Sequence, residues 1–343
     1  MTTATALPEA GLPTRRPLSP ALLLLGGAAL IFMTFMRFGV AELGWLVFAP
    51  YLVFLHERAT LRRHLALLAA LAAAFLLAVS KMATSEIPWM PVPMFALPLA
   101  LSYFLVLALA GAAHRRLGAR YGIYTFASMA VVMGWVQYSF TEGSSWGVLA
   151  HTQVDNLPLV QVAALTGIGG ITFLVALGSG LLAAAWSCGV RAVRTDLIVF
   201  GLLLGVALVY GQLRLAQPAP GAPVRIGGVV SPVTAQEFRG AVGNIDTLRS
   251  LDDELFARSG RAADLGAQVV VWNEIATLTS VAGESALVSR GQAFAKVREV
   301  LLVMAYGVVN DVGPFHYANK YRIYLPDGTL AERLPAHCMG QHA

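Results

Sequence analysis

Long apolar runs fill the first part of the chain. In the last part, short apolar runs alternate with polar stretches of helical spacing. A bilayer-crossing helix needs about 20 mostly apolar residues. Residues 18–36, 38–55, 65–80, 92–113, 121–140, 162–187 and 197–213 read as seven candidate spans, the third and seventh short. The first is not a cleaved signal peptide, because no small-residue cleavage site ends it and further spans follow at once. The segment from Gln217 to Pro223 carries three prolines and a glycine and cannot continue a helix. After it, 224–232 reads as a buried strand ending in Pro232. Residues 235–266, with Leu248, Leu251, Leu255 and Phe256 at helical spacing, read as a helix. Residues 267–277 read as a second buried strand with a polar end, 285–298 as a weaker helix and 300–311 as a third strand. Residues 316–334 read as a hairpin: Tyr317 to Tyr324 alternate, Pro326-Asp327-Gly328 turns, and the return begins at Thr329. This order predicts a layered α/β or α+β domain behind a membrane bundle.

Composition sharpens the division. The chain is 57% hydrophobic and 13% charged, with a mean hydropathy of +0.66; soluble domains run at roughly 45–50% and about 25%. A wholly soluble protein and a disordered one are both excluded, and two cysteines exclude a disulfide scaffold. Residues 1–215 hold 13 Lys+Arg and 7 Asp+Glu, whereas 216–343 hold 11 and 12. The basic residues are scattered between apolar runs, so the net positive charge does not indicate nucleic-acid binding. Their distribution instead sets orientation. With the N-terminus inside, the inner side carries Arg15, Arg16, Arg58, Arg62, Arg63, Arg115, Arg116, Arg120, Arg191 and Arg194; the outer side carries Arg37, Lys81 and Arg214. Seven spans then place residues after 214 outside the cytoplasm. The expected organisation is a cytoplasmic tail at 1–17, a transmembrane bundle at 18–214, a linker at 215–223 and an extracytoplasmic domain at 224–343.

The candidate chemistry is sparse. Glu42 and Glu86 fall near the outer boundary and Glu142 in an outer loop, where a solvated helix end is the plain reading. No span carries a central Asp, Glu or His chain, which disfavours a pump or secondary transporter. Trp89 and Trp146, beside Pro88, Pro91 and Pro93, are interfacial anchors or substrate-facing. Gly167-Ile168-Gly169-Gly170 lies inside an apolar span and points to close helix packing. No zinc spacing, P-loop or G-x-S-x-G occurs, and no metal or cofactor site is expected. Glu274 is the best single candidate: it follows Val269, Val270, Val271 and Trp272 at the carboxyl end of a buried strand, where catalytic groups of sheet proteins gather. A carboxylate shielded by Trp272 can act as a general base; an ordinary solvated Glu is the alternative. Cys338, beside His337 and near His342, reads as a spare tail thiol, and Cys188 as a packing residue at the inner end of the sixth span. Lys320 follows Asn319 in the hairpin strand and reads as a lysine guarding a sheet edge; Lys296 lies on the second helix.

Taken in order, three stretches resemble the apolipoprotein N-acyltransferase family, which joins a membrane bundle to a nitrilase-like (carbon-nitrogen hydrolase) αββα sandwich. Residues 134–184 resemble the family's span, outer loop and Gly-containing span. "VVVWNEIAT" (269–277) resembles its Trp-Pro-Glu strand, with Asn273 in place of Pro. "YANKYRIYLPDGTLAERL" (317–334) resembles the hairpin before its catalytic Lys. The resemblance implies transfer of a fatty acyl group from phospholipid to the N-terminal amine of lipoproteins in the cell inner membrane, without a cofactor. It implies a Glu-Lys-Cys site in which Glu274 is the general base. The tail departs from it: "AERLPAHCMGQHA" puts Pro335 where Lys is expected if His337 matches the family's His. Cys338 falls near the Lys region and does not inherit the nucleophile role, which belongs to a Cys further on. The expectation is therefore a C-terminally truncated or frame-disrupted chain, disturbed after about residue 333 and inactive as written. The alternatives are a non-catalytic relative acting as a partner or lipid-binding module, and a membrane-tethered nitrilase-like amidase.

Overall fold

Apolar runs with few breakers fold into helices whose ends coincide with caps, prolines and glycines. The computed structural model describes residues 18–57, 60–83, 89, 91–141, 143–218, 221–231, 245–309 and 317–331. The chain divides into two units, Met1–Pro218 and Ala219–Ala343.

The first unit is helical. It runs through α1 (Pro20–Thr34), a 3-10 turn (Ala41–Trp45), α2 (Ala49–Glu57), α3 (Leu61–Ser80), α4 (Val92–Leu117) and α5 (Ala119–Phe140). A second 3-10 turn (Leu149–Gln153), α6 (Leu157–Val160), α7 (Ala163–Cys188), a third 3-10 turn (Val190–Val193) and α8 (Arg194–Ala216) complete it. Ser19 caps α1 by accepting from the Leu22 N–H at 3.2 Å, and Thr60 caps α3 by accepting from Arg63 at 3.3 Å. Gly118 (φ 103°) and Gly189 (φ 86°) separate α4 from α5 and α7 from the turn before α8.

Four helical stretches are long and apolar enough to cross a membrane: Leu61–Ser80, Val92–Leu117, Ala163–Cys188 and Val190–Ala216. Pro20–Thr34 and Ala41–His56 are apolar but shorter, and α5 is long enough but interrupted by Tyr, Gly, Ser and Gln. Each of the seven expected segments is thus mainly helical, and four qualify as spans by length and composition. The second differs most, because it opens as a 3-10 turn and becomes α-helical only at Ala49. Ile198, Leu202, Val206, Val209 and Leu213 of α8 are exposed, the kind of apolar face a bilayer covers.

The interior of this unit is aromatic. Phe48 stacks on Tyr103 at 4.6 Å and Phe75 on Tyr103 at 5.4 Å, with Phe35 and Phe126 edge-on around them. The Tyr103 hydroxyl donates to the Gly147 carbonyl at 2.9 Å, so the buried ring leaves no unpaired polar end. Asp196, buried in the first turn of α8, accepts from Tyr124 at 3.0 Å and pairs with Arg120 at 3.2 Å. Of the close packing expected at Gly167–Gly170, Gly169 shows an ordinary contact with α5, where a β-carbon would meet Val131 at 3.4 Å. Gly167 departs from it: at φ 62° and ψ −170° it breaks α7, with nothing within 4 Å of its β-carbon position. Gly211 of α8 lies against the Pro158 backbone with no room for a side chain.

The second unit holds β1 (Ile226–Val229), α9 (Ile245–Asp264), β2 (Val269–Trp272), β3 (Leu278–Ser280), α10 (Glu284–Arg298), β4 (Leu301–Val309) and β5 (Tyr317–Tyr324). These form a mixed five-stranded sheet in which β1, β2, β4 and β3 are parallel and β5 is antiparallel to β4. Helices α9 and α10 cover one face. Leu251, Leu255 and Phe256 reach Trp272, and Gly291 lets α10 close on Met304 and Tyr324. The other face carries Val269, Val271, Leu301, Val303 and Ile323, half-buried and outside that core. The Pro326-Asp327-Gly328 turn is present, Gly328 at φ 84°, and its return begins with a bridge from Tyr324 to Leu330.

Candidate functional site

Two strands share one side of β4, and the gap between them presents Glu274. The chain pairs β4 first through β2, from Val269 opposite Leu301 to Val271 opposite Val303. It pairs again through β3, from Leu278 opposite Gly307. The β2–β3 side holds three more residues than β4 between these pairings, and the excess loops out as Asn273–Ile275. Ala276 and Thr277 rejoin the ladder: the Ala276 N–H donates to Ala305 at 3.2 Å, and the Gly307 N–H donates to Thr277 at 2.9 Å. Glu274 therefore stands at a break in a strand path that resumes, a kind of irregularity that re-aims side chains near functional sites. Ile275, next to it, is β-branched yet lies at φ 50°, in the left-handed region that such residues avoid.

Asn273 holds the break. Its N–H donates to Val229 at 3.1 Å, its Oδ1 accepts from the Ser231 N–H at 2.8 Å, and its Nδ2 donates to the Glu274 carbonyl at 3.0 Å. A proline here would lack the N–H that continues the β1–β2 ladder. Below the break, Thr277 is buried and its hydroxyl donates to Asp252 of α9 at 2.7 Å. Burial pushes the Asp252 carboxyl up to about 6, against the opposing pull of the Thr277 hydrogen bond and the Arg290 charge.

The Glu274 side chain is exposed, and its Oε1 accepts from Asn319 Nδ2 of β5 at 2.7 Å. A carboxylate with one oxygen held by a neutral amide keeps the second oxygen free to take a proton, which suits a general base. Period-two alternation sends the neighbouring Lys320 to the opposite face. There its Nζ lies 3.0 and 2.9 Å from the two oxygens of Glu284 on α10. The Tyr306 hydroxyl donates to Glu284 at 2.9 Å and accepts from Arg322 Nε at 3.1 Å. Burial works to raise the Glu284 carboxyl; the hydrogen bonds from Lys320 and Tyr306 and the charges of Lys320 and Arg322 outweigh it and hold it below its ordinary value.

These contacts revise several expectations. Lys320 does not guard the sheet edge, because Glu284 draws it onto the helix-covered face. Cys188 does not pack: it is exposed, since α7 ends at Gly189 directly after it. Glu42 is exposed, as are Trp89 and, more modestly, Trp146, whose ring lies 5.4 Å from Phe95. Glu86, Pro88, Glu142, Pro335, His337, Cys338 and His342 lie outside the described residues. Among the described residues no three His, Cys, Asp or Glu groups converge as metal ligands. Asn319, the Glu284 network and the Asp252–Thr277 bond escape sequence reasoning, because each joins residues 16 or more positions apart.

Residues 27–181 match the family model of the apolipoprotein N-acyltransferase N-terminal domain. The chain is also similar to the apolipoprotein N-acyltransferase of Geobacter metallireducens, at 28% identity over 211 residues. That similarity covers 57% of this chain and 40% of the relative, so the chain spans well under half of the relative's length. Both matches name the family that the three sequence stretches resemble.

Proposed function

We propose that this chain is the membrane bundle and the start of the nitrilase-like domain of an apolipoprotein N-acyltransferase. It resides in the inner membrane, with the N-terminus inside and residues 224–343 on the far side. The observation that carries the reading is the family match over 27–181. The second unit supports it: among the described residues a parallel β1–β2–β4 core is covered by helices on one face, and the other face is apolar, of the kind a sandwich's second sheet buries. The reaction is transfer of an acyl group from phospholipid to the N-terminal amine of a lipoprotein. In it a thiol attacks the acyl ester while Glu274 takes its proton and passes it to the departing lysophospholipid oxygen; the lipoprotein amine then attacks the resulting thioester, gives a proton to Glu274, and the released thiolate takes that proton back. A lysine and backbone donors meet the oxyanion.

Of these groups the described residues supply Glu274, held by Asn319. Lys320 is committed to Glu284, and among the described residues the second unit has no thiol. On this reading the groups supplied by the described residues are not enough for acyl transfer, and the 343-residue chain is expected to transfer none. The test is an assay of the purified chain with labelled phospholipid and a diacylated lipopeptide, together with a reading of the gene past the codon for Pro326 in all frames. Continuation into a Lys and then a Cys, with transfer by the extended protein that drops at least about 100-fold in Glu274→Gln, is the expected result. Transfer by the 343-residue chain itself refutes the inactivity, and full activity of Glu274→Gln in the extended protein refutes the base.

The Lys320–Glu284 pair favours a second reading, a non-catalytic relative. That reading expects a deletion phenotype that Glu274→Gln does not reproduce.

A further inference from the structure

We infer that the cavity between the first two 3-10 turns of the helical unit, Ala41–Trp45 and Leu149–Gln153, binds a compact organic ammonium group. The cavity has a volume of about 530 Å³, within the usual span for small-molecule sites, and Glu42, Trp45, Gln153, Asp155, Asn156 and Pro158 line it. It lies at the Arg37 end of the bundle, away from the Arg115, Arg116 and Arg191 end.

Its walls are fixed before any ligand arrives. Gln153 is wholly buried, and its Nε2 donates to the Ala41 carbonyl at 2.6 Å, tying one turn to the other. Asn156 donates to Gln153 Oε1 at 3.4 Å and caps α6 by accepting from Leu159. Gly44 leaves no room for a side chain against Gln153 and Thr152, so the turns close on each other there. The Trp45 carbonyl accepts from Ser179 at 2.9 Å, and its ring meets Phe200 edge-on at 5.9 Å, so the indole is held in place.

The lining selects for a cation. Glu42 and Asp155 bring two carboxylates to the cavity, and neither makes an ion pair among the described residues. The cations of this end turn elsewhere: Arg37 lies over the Phe38 ring, Lys81 donates to the Phe32 carbonyl and lies over the Phe32 ring, and Arg214 donates to the Tyr210 hydroxyl at 3.3 Å. An indole wall beside two carboxylates is the surrounding that stabilises an alkylammonium, by its π face and by charge. Asn156 adds a polar side for the group that carries the ammonium. No lining residue is basic, so an anionic group alone has no partner there. The site stands independently of the acyl-transfer reading, because it requires binding and no chemistry.

The test is a saturation-transfer NMR titration of the purified full chain in nanodiscs. The probes are ethylammonium, glycerophosphoethanolamine and glycerophosphoglycerol, applied to the unchanged chain and to Glu42→Gln and Asp155→Asn. The expected result is saturable binding of the ammonium probes and none of glycerophosphoglycerol. Either variant should lose about five- to ten-fold in affinity at unchanged Tm, the loss of one partly screened charge contact. Binding of both ammonium probes assigns the site to a lipid headgroup. Binding of ethylammonium alone supports the site and assigns it to free amines, such as a peptide N-terminus. No saturable binding, equal binding of glycerophosphoglycerol, or unchanged affinity in both variants overturns the inference.

Discussion

At Glu274 the side chain is exposed, yet one oxygen is held at 2.7 Å by Asn319 and its backbone is stitched to β1 through Asn273. The tether decides where the carboxylate stands, since the side chain itself is free of the core. Asp252, one layer below, shows the opposite balance: it is largely buried, and its proton is favoured by burial more than it is opposed by Thr277 and Arg290. Its folded value of about 6 lies above the ordinary 3.8. Its contribution to stability is therefore full below about pH 4 and is lost as the pH rises through about 6. Glu284 runs the other way, its contribution present above its ordinary range and lost as pH falls. Asp252→Asn keeps an acceptor for Thr277 and removes the titration. It is expected to flatten the pH 4–7 dependence of the second unit and to stabilise it at pH 7 by on the order of 1 kcal/mol, after discounting for solvent. Amide hydrogen exchange of β2 and β4 reads this out; protection in the variant that keeps the original pH slope refutes it.

Among the elements, the interrupted β2–β3 path shows what a local irregularity costs. Ile275 at φ 50° places a β-branched residue where only Gly and Asn sit easily. Glycine normally weakens a strand, by roughly 0.5–1 kcal/mol. Here Ile275→Gly is expected to leave the stability of the second unit unchanged or to raise it by up to about 1 kcal/mol, because the relieved strain offsets the lost side chain. A denaturant titration followed by hydrogen exchange at Ala305 and Gly307 measures it, and a loss above about 2 kcal/mol contradicts the strain. In the helical unit, α8 approaches α6 through Gly211, whose missing side chain is what lets the Pro158 backbone close on it. Gly211→Leu has to push the two apart. Its expected effect is a fall of several degrees in the Tm of the detergent-solubilised protein, with Gly201→Leu, on an open stretch of the same helix, as the neutral control.

On the scale of the whole molecule, two units with different solvents share one chain. The helical unit turns apolar side chains outward, as α8 does; the second turns apolar residues inward under α9 and α10. On the proposed reading, the arginine bias orients the first unit with Arg115, Arg116, Arg191 and Arg194 inside. Cys188, exposed at that same end, gives a native probe of this orientation. With Cys338 replaced by Ser, a membrane-impermeant maleimide should leave intact spheroplasts unlabelled and label Cys188 only after permeabilisation. Labelling of intact spheroplasts reverses the orientation and with it the placement of the second unit.

Much of this protein was legible in its sequence, for reasons that are local. Apolar runs near bilayer length, capping Ser19 and Thr60, the breaking Gly118 and Gly189, and the alternation from Tyr317 to Tyr324 all act within a few residues. Local chemistry therefore foretold the helices, the strand order along the chain, and Glu274 at the polar end of a buried strand. What only the tertiary structure decided is which distant residues meet. Asn319 rather than Lys320 faces Glu274, because pairing with β4 sets which face each residue of β5 takes. The second strand resumes as β3, because β4 is long enough to pair twice along one side. The second segment opens as a 3-10 turn, because Gln153, 112 positions away, is buried against Ala41 and holds it. Such choices depend on backbone partners brought together by packing, and neither hydropathy nor residue spacing encodes them.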